Sequence, residues 1–320
     1  MPSYILHQFP NKNKYQTITF LFYLHIIFFY DKIYKNVYFI YRELVITMKQ
    51  GYLVAIDLDG TLLEGVAGYN ESCFNLIKKI AKQNYVIIAT GRPWRGSKRY
   101  YDMLELKTPI INYNGALVHN PSDPNFQEVF ITIDKQDAID ILNDNIDLFD
   151  NIFCEVNDDI YIFKEPNDDI DDYLHAENGR QRIGNFKDTL KENPNGVITF
   201  SPLGTENRLK EYIETKYNGR LLIRFWHHYR YVIGEIYNPL TTKGNALKHI
   251  IDYYNVPFEK TISIGDGNND IEMFKVTNVK VAMGNSHPTL ISHATHTAKN
   301  VSENGVYYFL KDFFYEGGLD

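Results

Sequence analysis

Short apolar runs alternate with helical periods along the chain from residue 48 onwards. The run YLVAID at 52–57 is apolar up to its last residue, which is typical of a strand buried on both faces. A helical period follows at 70–84, with its apolar residues on one face. Further strands are predicted at 85–90, 109–117, 261–266 and 279–285, with a short helix beginning near Asn268. Strands that alternate with helices in this way predict an α/β fold with a parallel sheet and right-handed crossovers.

The middle of the chain has a different order of elements. Strand-like runs at 128–133, 152–156 and 161–165 surround a predicted helix at about 135–149, and a strand, a helix at 204–217 and two more strands repeat that order. The repeat indicates a second α/β module between two halves of the first. We therefore predict a Rossmann-like parallel-sheet core domain formed by 48–118 and 236–320, and an inserted α/β cap domain formed by 119–235.

Residues 1–47 differ in character, because the run ITFLFYLHIIFFY at 18–30 is almost wholly apolar. A membrane-spanning helix needs about 20 apolar residues, and this run is shorter and contains His25. A signal peptide would end in a small-residue cleavage site, which is missing. The third interpretation places the native start at Met48, so that 1–47 would be a leader or a mis-assigned start. We expect the third, with a membrane-associated segment as the alternative.

Composition narrows the classes of function. The chain is 44% hydrophobic and 23% charged, with a formal net charge of −7 at pH 7. A globular protein with this charge lacks the basic face of a nucleic-acid binder, so we expect no nucleic-acid partner. The two cysteines, Cys73 and Cys154, cannot form a disulfide framework or a thiolate zinc site. We expect buried thiols in a cytoplasmic protein.

Polar residues are predicted at the carboxyl ends of strands, where open α/β sheets bind ligands. Four segments place them there: Asp57 with Asp59, Thr90 with Gly91 and Arg92, Lys243, and GDGNND at 265–270. Each alone has an ordinary structural explanation, such as a helix cap or a turn hydroxyl. A calcium loop is excluded for GDGNND, because Ile271 and Thr277 stand where that loop needs glycine and glutamate.

Together the four segments fit phosphoryl transfer, which needs a nucleophile, positive charge near the phosphoryl oxygens and a proton donor for the leaving oxygen. An aspartate can be the nucleophile. Mg²⁺ bound by Asp57, the backbone carbonyl of Asp59 and Asp266 would reduce repulsion between nucleophile and substrate. Thr90 and backbone N–H groups would bind the non-bridging oxygens, with Lys243 as the opposing positive charge.

The segments DLDGTLL, ATGR, TTKGNAL and GDGNNDIEM, in this order, resemble the four motifs of the haloacid dehalogenase (HAD) superfamily, and VAMGNS after them fits the same pattern. Specifically, they resemble its Cof-type phosphatases with a large α/β cap. The resemblance covers roughly 50–118 and 236–312 by motif, while the insert matches a cap only by its position and element order. It implies Mg²⁺ as the cofactor and a small phosphate ester as the substrate.

The resemblance also implies roles for individual residues. It implies Asp57 as nucleophile, Asp59 as general acid and then base, Thr90 and Lys243 as phosphate ligands, Asp266 as metal ligand, Asp270 as support of the metal site, and Gly91, Arg92 and Asn269 as phosphate or substrate contacts. Asp59 favours phosphoryl chemistry over dehalogenation, because a halide leaves without a proton and an alkoxide needs one.

Three functions remain open. The leading hypothesis is Mg²⁺-dependent hydrolysis of a small phosphorylated metabolite, such as a sugar phosphate or a phosphorylated cofactor, through an aspartyl phosphate. A phosphosugar mutase of the same superfamily shares the two-aspartate motif and would need a bisphosphate activator. A non-catalytic phosphometabolite sensor would tolerate loss of Asp57 or Asp59, and both are present. The aromatic and basic run at 225–231 is expected to contact substrate if its hairpin faces the cleft.

Overall fold

The computed structural model describes residues 48–65, 68–175 and 179–315. The predicted leader at 1–47 lies outside the described residues. The chain divides into two units, one of residues 1–49 with 312–320 and one of residues 50–311. In the first unit the N–H of Lys49 donates to the carbonyl of Phe314 at 3.2 Å. Across the described ranges, none of the helices is both long and apolar enough to cross a bilayer.

The strands and helices of the described residues follow in chain order. The strands are β1 (Leu53–Ile56), β2 (Leu63–Glu64), β3 (Gly68–Tyr69), β4 (Tyr85–Ile88), β5 (Ile110–Asn112), β6 (Leu117–His119), β7 (Val129–Phe130), β8 (Asn151–Val156), β9 (Asp159–Ile162), β10 (Arg180–Ile183), β11 (Val197–Pro202), β12 (Leu222–His227), β13 (Tyr231–Tyr237), β14 (Thr261–Gly265), β15 (Val279–Ala282) and β16 (His296–Thr297). The helices are α1 (Glu71–Ala81), α2 (Trp94–Met103), α3 (Lys135–Asp144), α4 (Asp168–Leu174), α5 (Phe186–Thr189), α6 (Glu206–Tyr217), α7 (Lys243–Tyr254), α8 (Ile271–Val276), α9 (Pro288–Ile291) and α10 (Gly305–Phe314).

A five-stranded parallel sheet forms the core, in the order β16–β15–β14–β1–β4. Strand β1 lies inside this sheet and all four of its residues are buried. On one face Leu53 and Ala55 pack with Leu247 and Ile250 of α7. A fully buried Leu or Ile side chain contributes roughly 1.5–3 kcal/mol. The predicted parallel-sheet core is therefore confirmed, and the four residues of β1 itself are apolar.

A six-stranded sheet forms the inserted cap, in the order β10–β9–β8–β11–β13–β12. Its pairs are antiparallel except β9 with β10. One face packs against α3, α5 and α6 through an apolar cluster that includes Ile141, Phe186 and Ile213. The other face carries a second cluster, to which α4 contributes Ile170 and Leu174. The predicted fold class of a parallel core with an inserted α/β cap is confirmed, while the boundaries at 119 and 235 stay a prediction.

Two predicted strands differ from the structure. The strand predicted at 109–117 is split into β5 and β6, because the backbone turns at Tyr113 and Asn114, with φ of 48° and 53°. Asn-Gly sequences favour such turns. Gly115 is required there, since a Cβ at this position would lie 2.4 Å from the carbonyl oxygen of Thr242. The strand predicted at 128–133 shortens to β7, which pairs with β6 and not with the cap sheet.

Candidate active site

Two neighbouring parallel strands end in aspartates at the same edge of the core sheet. The N–H of Asp57 donates to the carbonyl of Ile264 at 3.0 Å, which continues the pairing of β1 with β14 by one residue. Asp266 follows the end of β14 directly. Since both strands are buried and parallel, their pairing brings the two carboxylates to one place.

A buried lysine joins two of the acidic residues. Nζ of Lys243, the first residue of α7, donates to Oδ1 of Asp57 at 2.5 Å and to Oδ1 of Asp270 at 2.7 Å. The side chain of Lys243 is 0% exposed. Burial would lower the pKa of Lys243, but the carboxylates of Asp270 and Asp57 outweigh it and raise that pKa. Lys243 is therefore charged and fixed beside Asp57.

Asp270 also organises the loop that precedes it. Its Oδ2 accepts hydrogen bonds from the backbone N–H groups of Asp266 and Gly267, both at 3.0 Å. The hydroxyl of Thr61 donates to Oδ1 of Asp266 at 3.1 Å. These bonds set the orientation of the Asp266 carboxylate relative to the end of β1.

The acidic residues fit a divalent cation. Asp57, Asp266 and Asp270 each offer a carboxylate oxygen, and these oxygens lie within 4.8 Å of one another. Burial raises the pKa of Asp57 well above its usual range, which Lys243 opposes, and burial raises the pKa of Asp266 to about 6. Three carboxylates around one lysine leave excess negative charge. Hard oxygen ligands in this number suit Mg²⁺.

Asp59 takes a different environment from Asp57. Its Oδ2 accepts a hydrogen bond from Nε of Arg92 at 2.8 Å, and its Oδ1 accepts a second from Nη2 of the same guanidinium. The Asp59 side chain is 49% exposed, whereas that of Arg92 is 5% exposed. Asp59 therefore reaches the cleft while a buried guanidinium holds its orientation. Between the two aspartates Leu58 is fully buried, which separates their side chains.

The remaining predicted site residues surround this cluster. Thr90 is buried, and its hydroxyl oxygen accepts from the N–H of Arg92 at 3.1 Å. Gly91 lies against Asn114, whose side chain would be 3.2 Å from a Cβ at position 91. Nδ2 of Asn269 donates to Oδ1 of the same Asn114 at 2.9 Å. The structure thus joins Asp57, Lys243 and Asp270 directly, and Asn269 reaches its neighbours through Asn114.

Two groups of residues at this edge were missed by the sequence analysis. Asn114 donates through Nδ2 to Glu235 of β13, at 3.0 and 3.3 Å from its two carboxylate oxygens. Arg95 of α2 forms a bidentate pair with Glu155 of β8, at 2.7 and 2.9 Å. The hydroxyl of Tyr113 donates to the same Glu155 at 2.6 Å. Both groups link core to cap. The Asn-Gly sequence at 114–115 predicts a turn, and this was the sequence signal that could have pointed to Asn114.

Comparison with known proteins identifies the family. The profile of the haloacid dehalogenase-like hydrolases matches residues 54–310, from β1 to the last helix. The chain belongs to this family. The predicted superfamily is therefore confirmed.

Curated relatives of the hydrolase are phosphatases. The 5-amino-6-(5-phospho-D-ribitylamino)uracil phosphatase YitU of Bacillus subtilis is 32% identical over 269 residues, covering 82% of the hydrolase and 97% of the relative. YwtE, a phosphatase of the same description and organism, is 29% identical over 284 residues, covering 80% and 96%. The hydrolase is thus a Cof-type phosphoric monoester hydrolase, and the predicted enzyme class is confirmed.

A solved structure supports the fold independently. A haloacid dehalogenase-like hydrolase from Bacteroides thetaiotaomicron has a TM-score of 0.71 at 20% identity, covering 83% of this hydrolase and 100% of that chain. At this identity the likeness bears on the fold alone. It agrees with the parallel core and the inserted cap described above.

Proposed function

We propose that the hydrolase removes phosphate from a small phosphorylated metabolite, with Mg²⁺ as cofactor and Asp57 as the nucleophile. The observation that carries the proposal is the position of Asp57, which Lys243 holds at 2.5 Å beside Asp266 and Asp270. A nucleophilic carboxylate needs a fixed orientation and nearby positive charge, and this arrangement supplies both. The buried, unpaired thiols Cys73 and Cys154 fit a cytoplasmic enzyme.

The reaction divides into two displacements at phosphorus. In the first, a carboxylate oxygen of Asp57 bonds to phosphorus, the ester oxygen–phosphorus bond breaks, and Asp59 gives its proton to the leaving alkoxide. In the second, Asp59 accepts a proton from water, the water oxygen bonds to phosphorus, and the bond to Asp57 breaks. Phosphate leaves, and both aspartates return to their starting states.

The other residues at the site supply positive charge to the phosphoryl group or fix the positions of the reacting groups. Lys243 and Thr90 hold non-bridging phosphoryl oxygens, and Gly91 lets the backbone approach them. Asp57, Asp266, Asp270 and the backbone carbonyl of Asp59 would hold Mg²⁺, which supplies positive charge against the repulsion between the nucleophile and the phosphoryl group. Both oxygens of Asp59 accept from the guanidinium of Arg92, so we assign Arg92 to positioning Asp59 as the base of the second displacement, and Asp59 leaves this pair when it carries the proton of the first.

The proposal is tested by measuring phosphate release from a panel of monoesters with Mg²⁺ and with EDTA. We include 5-amino-6-(5-phospho-D-ribitylamino)uracil, because two relatives are phosphatases of that compound. Sugar phosphates, flavin mononucleotide and pyridoxal phosphate complete the panel. We expect Mg²⁺-dependent turnover of at least one monoester. Turnover that needs a bisphosphate activator would instead indicate a mutase, and equal turnover in EDTA would reject the metal.

The exchange Asp59→Asn is expected to separate substrates by their leaving groups. An alkyl phosphate needs a proton on its leaving oxygen, so its kcat should fall by about 10² to 10⁴-fold. p-Nitrophenyl phosphate releases a stable phenolate, so its kcat should fall much less. Steady-state kinetics on both substrates measure the difference, with Asp102→Asn, which loses only a surface pair with Lys98, as the control. Equal losses on both substrates would contradict the assignment of Asp59.

Removal of Mg²⁺ is expected to destabilise the protein more at about pH 7.5 than at about pH 5. Without metal, burial raises the pKa of Asp266 to about 6 and also raises that of Asp57. The folded state then binds more protons than the unfolded state, so its stability is lost as pH rises through this range. Mg²⁺ binds the ionised carboxylates and offsets that loss. Melting temperatures with Mg²⁺ and with EDTA check this, and an equal difference at both pH values would contradict it.

A further inference from the structure

One face of the cap sheet carries a row of charged and aromatic side chains. The strand register aligns Ile198 of β11 with Glu235 of β13, and Glu235 with Arg224 of β12. Residues aligned across a sheet share a face, and so do residues two apart along a strand. Trp226 therefore lies on the same face as Arg224. It packs against the apolar cluster of this face, which also includes Tyr173 of α4.

This face borders the candidate active site. Asn114 is bonded on one side to Glu235 at 3.0 Å and on the other to Asn269 at 2.9 Å, and Asn269 directly precedes Asp270. Tyr173 directly precedes Leu174, whose carbonyl accepts a hydrogen bond from Nη2 of Arg95 at 3.0 Å. The row thus lies above the phosphate end of the cleft, where the part of a substrate beyond its phosphate would extend.

The charged members of the row are fixed in place. Nε and Nη2 of Arg224 donate to the two carboxylate oxygens of Glu235 at 2.7 and 2.8 Å, and the guanidinium lies 4.3 Å from the ring centre of Tyr237. Among the described residues, the hydrogen bonds of Arg224 use only Nε and Nη2, so Nη1 is left to donate elsewhere. Both oxygens of Glu235 already accept from Arg224 and Asn114, so Glu235 fixes the guanidinium, and the pair presents the Nη1 donor to an acceptor on the substrate, such as a carbonyl oxygen or ring nitrogen.

The aromatic members offer a surface for stacking. The rings of Tyr173 and Trp226 are stacked, with centres 6.2 Å apart and planes 29° apart. Both side chains are half-buried, so part of each ring stays accessible. A planar nitrogen heterocycle would gain from contact with such rings and from hydrogen bonds at its edge. An acyclic polyol has no ring to place flat against this surface.

We propose that Tyr173, Trp226, Arg224 and Glu235 form a subsite for the leaving group, and that this subsite takes a planar nitrogen heterocycle carried on a phosphorylated chain. The inference rests on the proposed hydrolysis at Asp57. It adds which cap residues select the substrate and what chemistry they select. Arg224 binds an acceptor at the polar edge of the heterocycle, Glu235 holds Arg224 in place, and Trp226 and Tyr173 contact the face of the heterocycle.

The test compares two ribityl phosphates that differ in the heterocycle. The probes are 5-amino-6-(5-phospho-D-ribitylamino)uracil and D-ribitol 5-phosphate, and the readout is the ratio of their kcat/KM values with full-length protein. Trp226→Leu should lower this ratio about tenfold, mainly through KM, because stacking binds the ground state and the transition state alike. Trp226→Phe keeps an aromatic face and should restore most of the ratio.

Phe225→Leu is the matched control. Phe225 is the neighbour of Trp226 on β12, but it faces the opposite side of the sheet and packs against the other cap cluster. This variant should keep the wild-type ratio even if its melting temperature falls. An unchanged ratio in Trp226→Leu, or an equal fall in Phe225→Leu, would overturn the subsite. If the wild type hydrolyses neither probe nor p-nitrophenyl phosphate, the proposed function fails and the subsite falls with it.

Discussion

Asp57→Asn is expected to lower kcat by at least about 10⁴-fold while the protein stays folded, because removal of an enzymic nucleophile costs this much or more. Asparagine keeps the shape of the buried side chain but cannot form the covalent phosphate. It also removes one negative charge from the cluster with Asp266 and Asp270. Lys243 keeps its bond to Asp270 at 2.7 Å. The melting temperature in EDTA should therefore stay within a few degrees of wild type or rise.

Rapid mixing with an activated monoester checks this prediction, since wild type should show covalently bound phosphate after acid quenching and the variant should show none. Asp252→Asn is the control, because Asp252 is exposed and pairs with Lys248 on the surface of α7. Such surface pairs contribute about 0–1 kcal/mol. A variant that retains more than about a hundredth of wild-type kcat would exclude Asp57 as nucleophile.

Lys243→Met is expected to reduce both activity and stability. The lysine is fully buried and contacts two carboxylates, so its loss leaves like charges facing one another without a counterion. Breaking a buried pair by removing one partner costs about 3–5 kcal/mol of unfolding free energy. The loss of unfolding free energy should be largest in EDTA. Bound Mg²⁺ should restore part of the stability, because it supplies positive charge to the same carboxylates.

Urea unfolding in EDTA and in Mg²⁺ measures these differences. Lys248→Met is the matched control on the same helix, since Lys248 is exposed and forms one i,i+4 pair with Asp252. It should change the unfolding free energy by less than about 1 kcal/mol. If Lys243→Met unfolds at the same urea concentration as Lys248→Met, the buried pairs do not carry the stability assigned to them.

The sequence was informative where local pattern decides structure. A fully apolar strand predicts burial on both faces, and strands that alternate with helices predict a parallel sheet, so the sequence places Asp57 and Asp266 at carboxyl ends of parallel strands. That these two strands are neighbours is added by the structure. The roles of these residues remain a proposal.

The contacts between core and cap were beyond the sequence. Glu155 pairs with a residue 60 positions away, and Glu235 bonds to one 121 positions away. No local pattern specifies which of many acidic residues meets which partner, because that choice depends on strand register in a separate sheet. The partner of Asp59 was missed for the same reason. Arg92 is predicted to contact phosphate or substrate, and the structure adds that its guanidinium lies against a carboxylate 33 positions earlier.

The pair of Arg95 and Glu155 limits how freely evolution or an engineer can exchange caps. Both side chains are buried, at 5% and 7% exposed. A cap exchange would create a chimera in which Arg95 comes from the protein that supplies the core and the residue at position 155 from the protein that supplies the cap. A cap without an acid at the position of Glu155 would leave the buried guanidinium of Arg95 without its bidentate partner. A cap exchange that is meant to transfer substrate specificity therefore has to move Arg95 and Tyr113 together with the cap that they contact.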